Sequence, residues 1–126
     1  MIETGIVARL AAQVPVLAGN ILPVDRQETD IIPVLVYQRI STTRPMTADG
    51  ATSLVLSRYQ FNLYDASYDS MIGLRSQVRA ALSGFVGDMG NGVRCFGAQL
   101  ENDQEEYVKE LSLYGGSIDL TIWHEE

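Results

Sequence analysis

The side chains best suited to catalysis are a single histidine, His124, and a single cysteine, Cys95. A nucleophilic triad or a zinc site would need several such groups brought together from different parts of the chain. His124 lies next to the end of the sequence, and Cys95 has apolar neighbours. We therefore expect His124 to be a surface residue and Cys95 a small packing residue. One cysteine also allows no internal disulfide and favours a reducing compartment.

Acidic residues offer the next candidates. The run from Glu101 to Glu106 could suggest calcium, but it lacks the spaced carboxylates and mid-loop glycine of a calcium-binding loop, so a solvated connection is the better interpretation. Asp65 and Asp69 flank a predicted helix start, where capping accounts for them better than paired acid–base catalysis. The glycines between 84 and 92 match neither the dinucleotide nor the phosphate-loop spacing. No catalytic residue, metal ligand or cofactor site is predicted.

Four aromatic residues near the middle of the chain could resemble a base-stacking platform: Tyr59, Phe61, Tyr64 and Tyr68. Such platforms have interleaved basic residues, which are missing here, so core packing or a protein interface is favoured. The formal net charge of −7 also argues against nucleic-acid binding. With 126 residues, 46% of them hydrophobic, the composition predicts one globular domain. We find neither a signal-peptide pattern nor an apolar run of the ~18 residues that a membrane helix needs.

The chain is organised around one strand and one helix between residues 53 and 84, which position the aromatic and acidic residues described above. Side chains alternate from 55 to 63, which predicts a half-buried strand with Val55, Ser57, Tyr59, Phe61 and Leu63 on one face. Ser67 can cap the following helix, and Gly84 can end it. Apolar residues then recur at three- and four-residue steps, at Met71, Leu74, Val78, Ala81, Leu82 and Phe85.

The remaining patterns predict a helix over residues 2–14 that Pro15 ends, and strands over 16–24, 32–41, 93–100 and 111–123. Gly115 and Gly116 predict a bulge in the last strand. The element order is α-β-β-β-α-β-β. We predict an α+β fold with an antiparallel sheet of about four to five strands and both helices packed on one face.

Residues 42–52 form the longest stretch without a hydrophobic pattern, and they lie between two predicted strands. If those strands pair, this loop is an arm well beyond a tight turn. The strand before it has apolar residues on both faces, so it is central or its second face meets another protein. The arm and this strand supply the candidate subunit-interface residues Leu35, Tyr37, Arg39, Arg44, Pro45 and Met46.

Several short motifs follow one another along most of the chain. They are a helix and a proline-containing first strand, PVLVYQRIS at 33–41, YQFNLY at 59–64, a helix that opens with Tyr68-Asp69 and runs through VRAAL at 78–82, and IDLTIWHE at 118–125. Their order and spacing resemble the tail-terminator, or tail-completion, proteins of long-tailed bacteriophages and related tail-like particles. The sequence departs from that family at 19–23, where GNILP keeps only the proline of the usual first-strand motif.

The resemblance implies a virion protein without catalytic residues or cofactor that assembles into a ring, usually a hexamer. Such a ring caps the tail tube at its head-proximal end, stops its polymerisation and provides the docking surface for the head connector. The implied partners are further copies of the chain, the tube protein and the head–tail connector. DNA passes through the lumen without specific binding, which an acidic chain suits, and no membrane is involved. The alternatives are a small acidic adaptor domain that forms no ring, and an enzyme whose site is assembled across subunits.

Overall fold

The computed structural model describes residues 2–17, 19–23, 33–44, 46–47, 50–51, 54–88, 94–109 and 112–125. The helices and strands within these ranges are α1 (Ile2–Gln13), a 3₁₀ turn (Pro15–Leu17), β1 (Ile21–Pro23), β2 (Val34–Thr43), β3 (Met46–Thr47), β4 (Gly50–Ala51), β5 (Leu54–Asp65), α2 (Tyr68–Leu82), β6 (Gly87–Asp88), β7 (Arg94–Val108) and β8 (Leu113–Glu125).

The main sheet contains six strands in the order β1-β2-β5-β8-β7-β6. All neighbouring pairs are antiparallel except β1 and β2, which are parallel. The predicted α+β class is confirmed, but the sheet is larger than predicted and mixed. A parallel pair cannot be joined by a hairpin. The prediction of a sheet that is antiparallel throughout is therefore corrected at this pair.

One face of the main sheet carries the core. The β5 residues predicted to share a face, from Val55 through Leu63, are all buried. Both helices cover this face, as predicted, and their apolar sides join the sheet in one cluster. The helix residues in that cluster are Ile2, Ile6 and Leu10 of α1, and Met71, Leu74, Val78, Ala81 and Leu82 of α2.

The predicted helix signals are confirmed at both ends of α2. The Ser67 hydroxyl accepts a hydrogen bond from the Ser70 N–H, and Asp65 accepts bonds from the Ala66 N–H at 2.7 Å and from the Ser70 hydroxyl. At the other end Gly84 has a φ of +77°, a conformation that favours glycine. Its N–H donates to the Ala98 carbonyl at 2.7 Å, which ties the helix end to β7.

The glycine pair in β8 has a different role from the predicted bulge, because the pairing of β8 with both neighbours is regular there. A Cβ added at Gly116 would lie 2.5 Å from the Met71 sulfur, so the missing side chain lets α2 approach the sheet. At Gly115 an added Cβ would lie 3.1 Å from both Glu106 and Tyr64. The register shifts lie between Arg39 and Ser41, between Cys95 and Gly97, and between Leu100 and Asn102.

Two strand predictions are corrected. The acidic run 101–106 is not a connection, because β7 continues through it from Arg94 to Val108. These residues are exposed at the side of the sheet, where charged side chains stay solvated within a strand. The predicted strand over 16–24 is a 3₁₀ turn followed by the three-residue β1, and Gly19 between them has a φ of +85°.

The predicted arm leaves the sheet between β2 and β5. These strands pair as far as Thr43 and Leu56, so residues 42–43 of the predicted loop belong to β2. Beyond them β3 and β4 pair as a separate two-stranded sheet. Part of residues 42–52 therefore has regular secondary structure, although the sequence there shows no hydrophobic pattern. Pro45, residues 48–49 and residues 52–53 lie outside the described residues.

Candidate assembly surface

The six residues predicted to form a subunit interface differ in how exposed they are. Leu35 is 0% exposed in the core opposite Leu63, which leaves it no surface for a subunit contact. Tyr37 is partly buried against the same core. Arg39 and Arg44 are exposed, Met46 is described only in its backbone and lies in β3, and Pro45 is outside the described residues. The subunit interface therefore stays a prediction. Within β2, only the exposed end of the strand remains a candidate for it.

Arg39 also has an intramolecular role. Its Nη2 lies 2.5 Å from Glu3 Oε2, and its Nε donates to the Tyr59 hydroxyl at 2.9 Å. The Tyr59 hydroxyl in turn donates to Glu3. Burial alone would raise the pKa of Glu3, but the bonds from Tyr59 and Arg39 together lower it. Burial and the bond to Glu3 raise the pKa of Tyr59. This network fastens the start of α1 to β2 and β5.

His124 is 2% exposed, so its prediction as a surface residue is wrong. Its Nδ1 lies 2.6 Å from the Glu125 carbonyl oxygen, and its Nε2 forms a 2.8 Å hydrogen bond with the Ser57 hydroxyl. The sequence did contain a signal for its burial, because the alternation of Ile118, Leu120 and Ile122 continues to position 124. The hydrogen bond between Ser57 and His124 joins β5 to β8 on the sheet face that the helices cover.

Cys95 is buried directly opposite His124, which confirms it as a packing residue. Burial raises the pKa of its thiol. Of the aromatic residues, Tyr59 and Phe61 are buried in the core with ring centroids 6.0 Å apart. Core packing is therefore the correct interpretation for these two. Within the described ranges, no group of three or more His, Cys, Asp and Glu residues could hold a metal ion.

The acidic run lies along the outer side of β7. β6 pairs only with Arg94 and Cys95, and the Gly84 N–H reaches Ala98. From 99 to 107 no described strand pairs with β7 on this side, and we call this segment the β7 edge. It carries Glu101, Asp103, Glu105 and Glu106.

Two arginines of α2 partly neutralise the β7 edge. Arg75 lies 2.9 Å from Glu105 and also donates to the Gln104 carbonyl at 3.1 Å, and Arg79 lies 3.7 Å from Asp103. The Tyr68 hydroxyl donates to Glu105 at 2.7 Å. Together the bonds from Tyr68 and Arg75 lower the pKa of Glu105.

A tyrosine cluster, defined as Tyr68, Tyr107 and Tyr114, adjoins the β7 edge. Its ring centroids are 5.8 Å apart between Tyr68 and Tyr114, and 4.8 Å apart between Tyr107 and Tyr114. Tyr68 is 45% exposed and Tyr107 52% exposed. Rigid, half-exposed tyrosines beside unpaired backbone groups are typical of protein contact surfaces. Sequence reasoning considered only Tyr68, because the cluster depends on the pairing of β7 with β8.

The other side of the sheet has its own unpaired segment. Among the described residues, β1 pairs with β2 at Leu35, Val36 and Tyr37. From 38 to 43 no described strand pairs with β2 on its outer side, and we call this segment the β2 edge. It carries Arg39, no acidic residue, and Ile40, which is 47% exposed, and Arg44 follows it directly.

The sheet face opposite the helices carries polar side chains near the Tyr64 end of β5. It has an open depression of about 190 Å³ lined by Gln60, Asn62, Tyr64, Gln104, Glu105, Glu106, Gly115, Gly116 and Ser117. Nearby, Asp119 Oδ2 lies 3.3 Å from Arg58 Nη2, while Oδ1 is buried without a hydrogen-bond partner. The depression brings together amide and carboxylate groups but no histidine, cysteine or lysine.

No protein-family model matches the sequence, and no curated protein matches it. The fold, however, is also found in a solved structure. A chain in the structure described as "Virion of native gene transfer agent (GTA) particle" superposes with a TM-score of 0.77 at 11% sequence identity. The match covers 98% of this chain and 94% of that chain. The two proteins therefore share a fold over nearly their whole lengths. No helix in the described part of the chain is long and apolar enough to cross a membrane.

Proposed function

We propose that this protein is a structural subunit of a phage-like virion, and that it acts as a tail terminator. The observation that carries the proposal is the match, over 98% of the chain, to a chain of a gene transfer agent virion. The order of motifs that resembles tail terminators supports the finer assignment. In this role the chain closes into a ring, with six as the expected number of copies, at the head-proximal end of the tail tube.

The chemistry of the described residues is consistent with a role in assembly rather than catalysis. His124 and Ser57 bond to each other in the core, Cys95 packs beside them, and Asp65 caps α2. By contrast, the described parts of the β2 edge and the β7 edge carry exposed side chains that are suited to contact with another protein. Identical subunits that close into a ring need two different patches on each copy, and these edges lie on opposite sides of the sheet.

The proposed partners are further copies of the chain, the tail tube protein and the head–tail connector. DNA passes through the ring without specific binding, because a chain with a net charge of −7 repels phosphate. The protein needs no cofactor for this role.

The test is to add the purified protein to tube protein during polymerisation and to measure tube length by electron microscopy and head joining. We expect tubes that stop growing, carry a ring at one end and accept heads. A Phe61→Asp variant, which places a charge in the core, is the control that shows whether the effect needs the folded chain. If tubes grow to the same length and heads join equally well without the protein, the proposal is wrong.

A ring-free adaptor is the competing function, and native mass spectrometry on tube ends distinguishes the two. A protein that stays monomeric both in solution and with tubes, and leaves tube growth unchanged, is an adaptor. Rings that appear only on tube ends support the terminator, because closure can depend on the tube.

A further inference from the structure

The depression on the sheet face opposite the helices is centred on a glycine. Gly115 of β8 lies between its two strand partners, Tyr64 of β5 and Glu106 of β7. Residues paired across strands share a face, so these two side chains flank the place where Gly115 has none. A Cβ added there would lie 3.1 Å from each of them. The next cross-strand set continues the same surface with two amides and a hydroxyl: Asn62, Gln104 and Ser117.

The groups around the depression suit a cation that donates several hydrogen bonds, because amide oxygens and carboxylates accept them. Of its two carboxylates, Glu105 is already bonded to Arg75 and Tyr68. Glu106 is exposed and forms no salt bridge with any residue that the structure describes. Burial and the nearby charge of Glu106 raise the pKa of Tyr64. The depression therefore combines an uncompensated negative charge with an aromatic ring.

A guanidinium group fits these features better than other cations. It is planar, always charged, and carries five N–H donors that suit a carboxylate and amide oxygens together. Its flat face also stacks on an aromatic ring, which Tyr64 supplies. The depression, at about 190 Å³, is smaller than the roughly 300–1,000 Å³ of typical small-molecule pockets. Its size therefore suits one side chain rather than a cofactor.

The arginine is expected to come from a different protein. Each arginine within the described ranges already contacts another group of its own chain, and a second copy would have to give up one of these contacts to fill the depression. These arginines are Arg9, Arg39, Arg44, Arg58, Arg75, Arg79 and Arg94. The net charge of −7 likewise favours a partner that brings positive charge.

We propose that this depression binds an arginine side chain of a different virion protein, with Glu106 as the charge partner and Tyr64 as the stacking surface. The site rests on the proposed function, which brings the tube protein and the head–tail connector against this chain. It adds to that function a contact that recognises one type of side chain.

NMR of the purified native chain tests the site without a partner protein. The probes are N-acetyl-arginine amide and N-acetyl-lysine amide, and the arginine probe should shift the side-chain amide signals of Gln60, Asn62 and Gln104 at the lower concentration. Glu106→Gln should weaken arginine binding by about tenfold, because a hydrogen bond to a charged group is lost. Glu101→Gln, the same change on the same strand outside the depression, should bind like the native chain. No arginine-dependent shift, or equal affinity for both probes, overturns the proposal.

Gly115→Ala fills the depression without changing its charge. Its Cβ would lie against Tyr64 and Glu106, so arginine binding should weaken although the carboxylate remains. The control is Gly73→Ala, where nothing lies within 4 Å of the added Cβ. Circular dichroism checks that the variants fold. A folded Gly115→Ala that binds arginine as tightly as the native chain would show that the guanidinium does not enter the depression, and Glu106→Gln tests the site if Gly115→Ala does not fold.

Binding of the tube protein and of the connector, measured separately, identifies the source of the arginine. Glu106→Gln should weaken binding to one of them by about tenfold and leave contacts between copies unchanged. If it weakens only self-association, the occupant is a second copy and the proposal is wrong. If the native chain caps tubes and Glu106→Gln binds both proteins normally, the site is wrong and the terminator function stands. If tubes are not capped, the function fails, and the arginine titration decides the site by itself.

Discussion

At the scale of single residues, polar groups in this protein connect elements across the core. Glu3, Arg39 and Tyr59 join α1 to two strands, and Ser57 with His124 joins β5 to β8. A buried polar group that loses its partner keeps its desolvation cost, so the loss of one member is expensive.

Glu3→Gln should lower stability at neutral pH by up to about 1 kcal/mol, because its contact with Arg39 is partly exposed. The folded pKa of Glu3 lies below the ordinary value of 4.5. The stabilisation is therefore present above that value and is lost as the pH falls through the folded pKa. Urea unfolding from pH 7 to pH 3 should show the two proteins converging in acid. Glu101→Gln, which removes an exposed carboxylate, is the control and should show no such gap. A difference in unfolding free energy between the native protein and Glu3→Gln that widens in acid would contradict the stabilising role assigned to the Glu3 carboxylate.

Ser57→Ala should destabilise the fold by about 1–3 kcal/mol, because it removes the buried hydrogen bond between Ser57 and His124 Nε2. The matched control is Ser76→Ala on the exposed side of α2, where alanine favours the helix and no loss is expected. Denaturant unfolding measures both variants. Equal stabilities for the two would mean that the Ser57–His124 bond adds nothing to the fold.

At the scale of elements, the approach of α2 to the sheet depends on one missing side chain. Gly116→Ala should cost about 1–3 kcal/mol, because its Cβ would overlap the buried Met71 sulfur. Met71→Ala also destabilises, but in the double variant the two losses should sum to less than their separate values. Gly73→Ala in α2, where nothing lies within 4 Å, should stabilise the helix instead. Thermal melts compare the four proteins, and strict additivity would contradict the proposed overlap.

At the scale of the whole molecule, the arm has a sheet of its own. Its strands β3 and β4 pair with each other and with no described strand of the main sheet. Deletion of residues 44–51 should therefore leave the melting transition cooperative while impairing ring formation. Circular dichroism and tube-capping assays measure the two effects. A deletion variant that unfolds, or one that caps tubes normally, would show that the arm has a different role.

Local patterns in the sequence predicted the elements and their faces. The alternation from Val55 to Leu63 placed five side chains in the core correctly, and Ser67 and Gly84 marked the ends of α2. Such signals act between residues that are near in sequence, so they hold whatever the rest of the chain does. The buried position of Phe61 and Leu82 could be predicted for the same reason.

Tertiary structure decided which strands pair and therefore which surfaces remain open. The parallel pairing of β1, the extension of β7 through its acidic run and the burial of His124 depend on residues far away in the sequence. A strand's periodicity shows which side chains share a face, but not whether a neighbour satisfies its backbone. These pairings decide which segments of β2 and β7 have no described partner strand, so the sequence alone named Arg39 and Arg44 but not the exposed acidic strand β7.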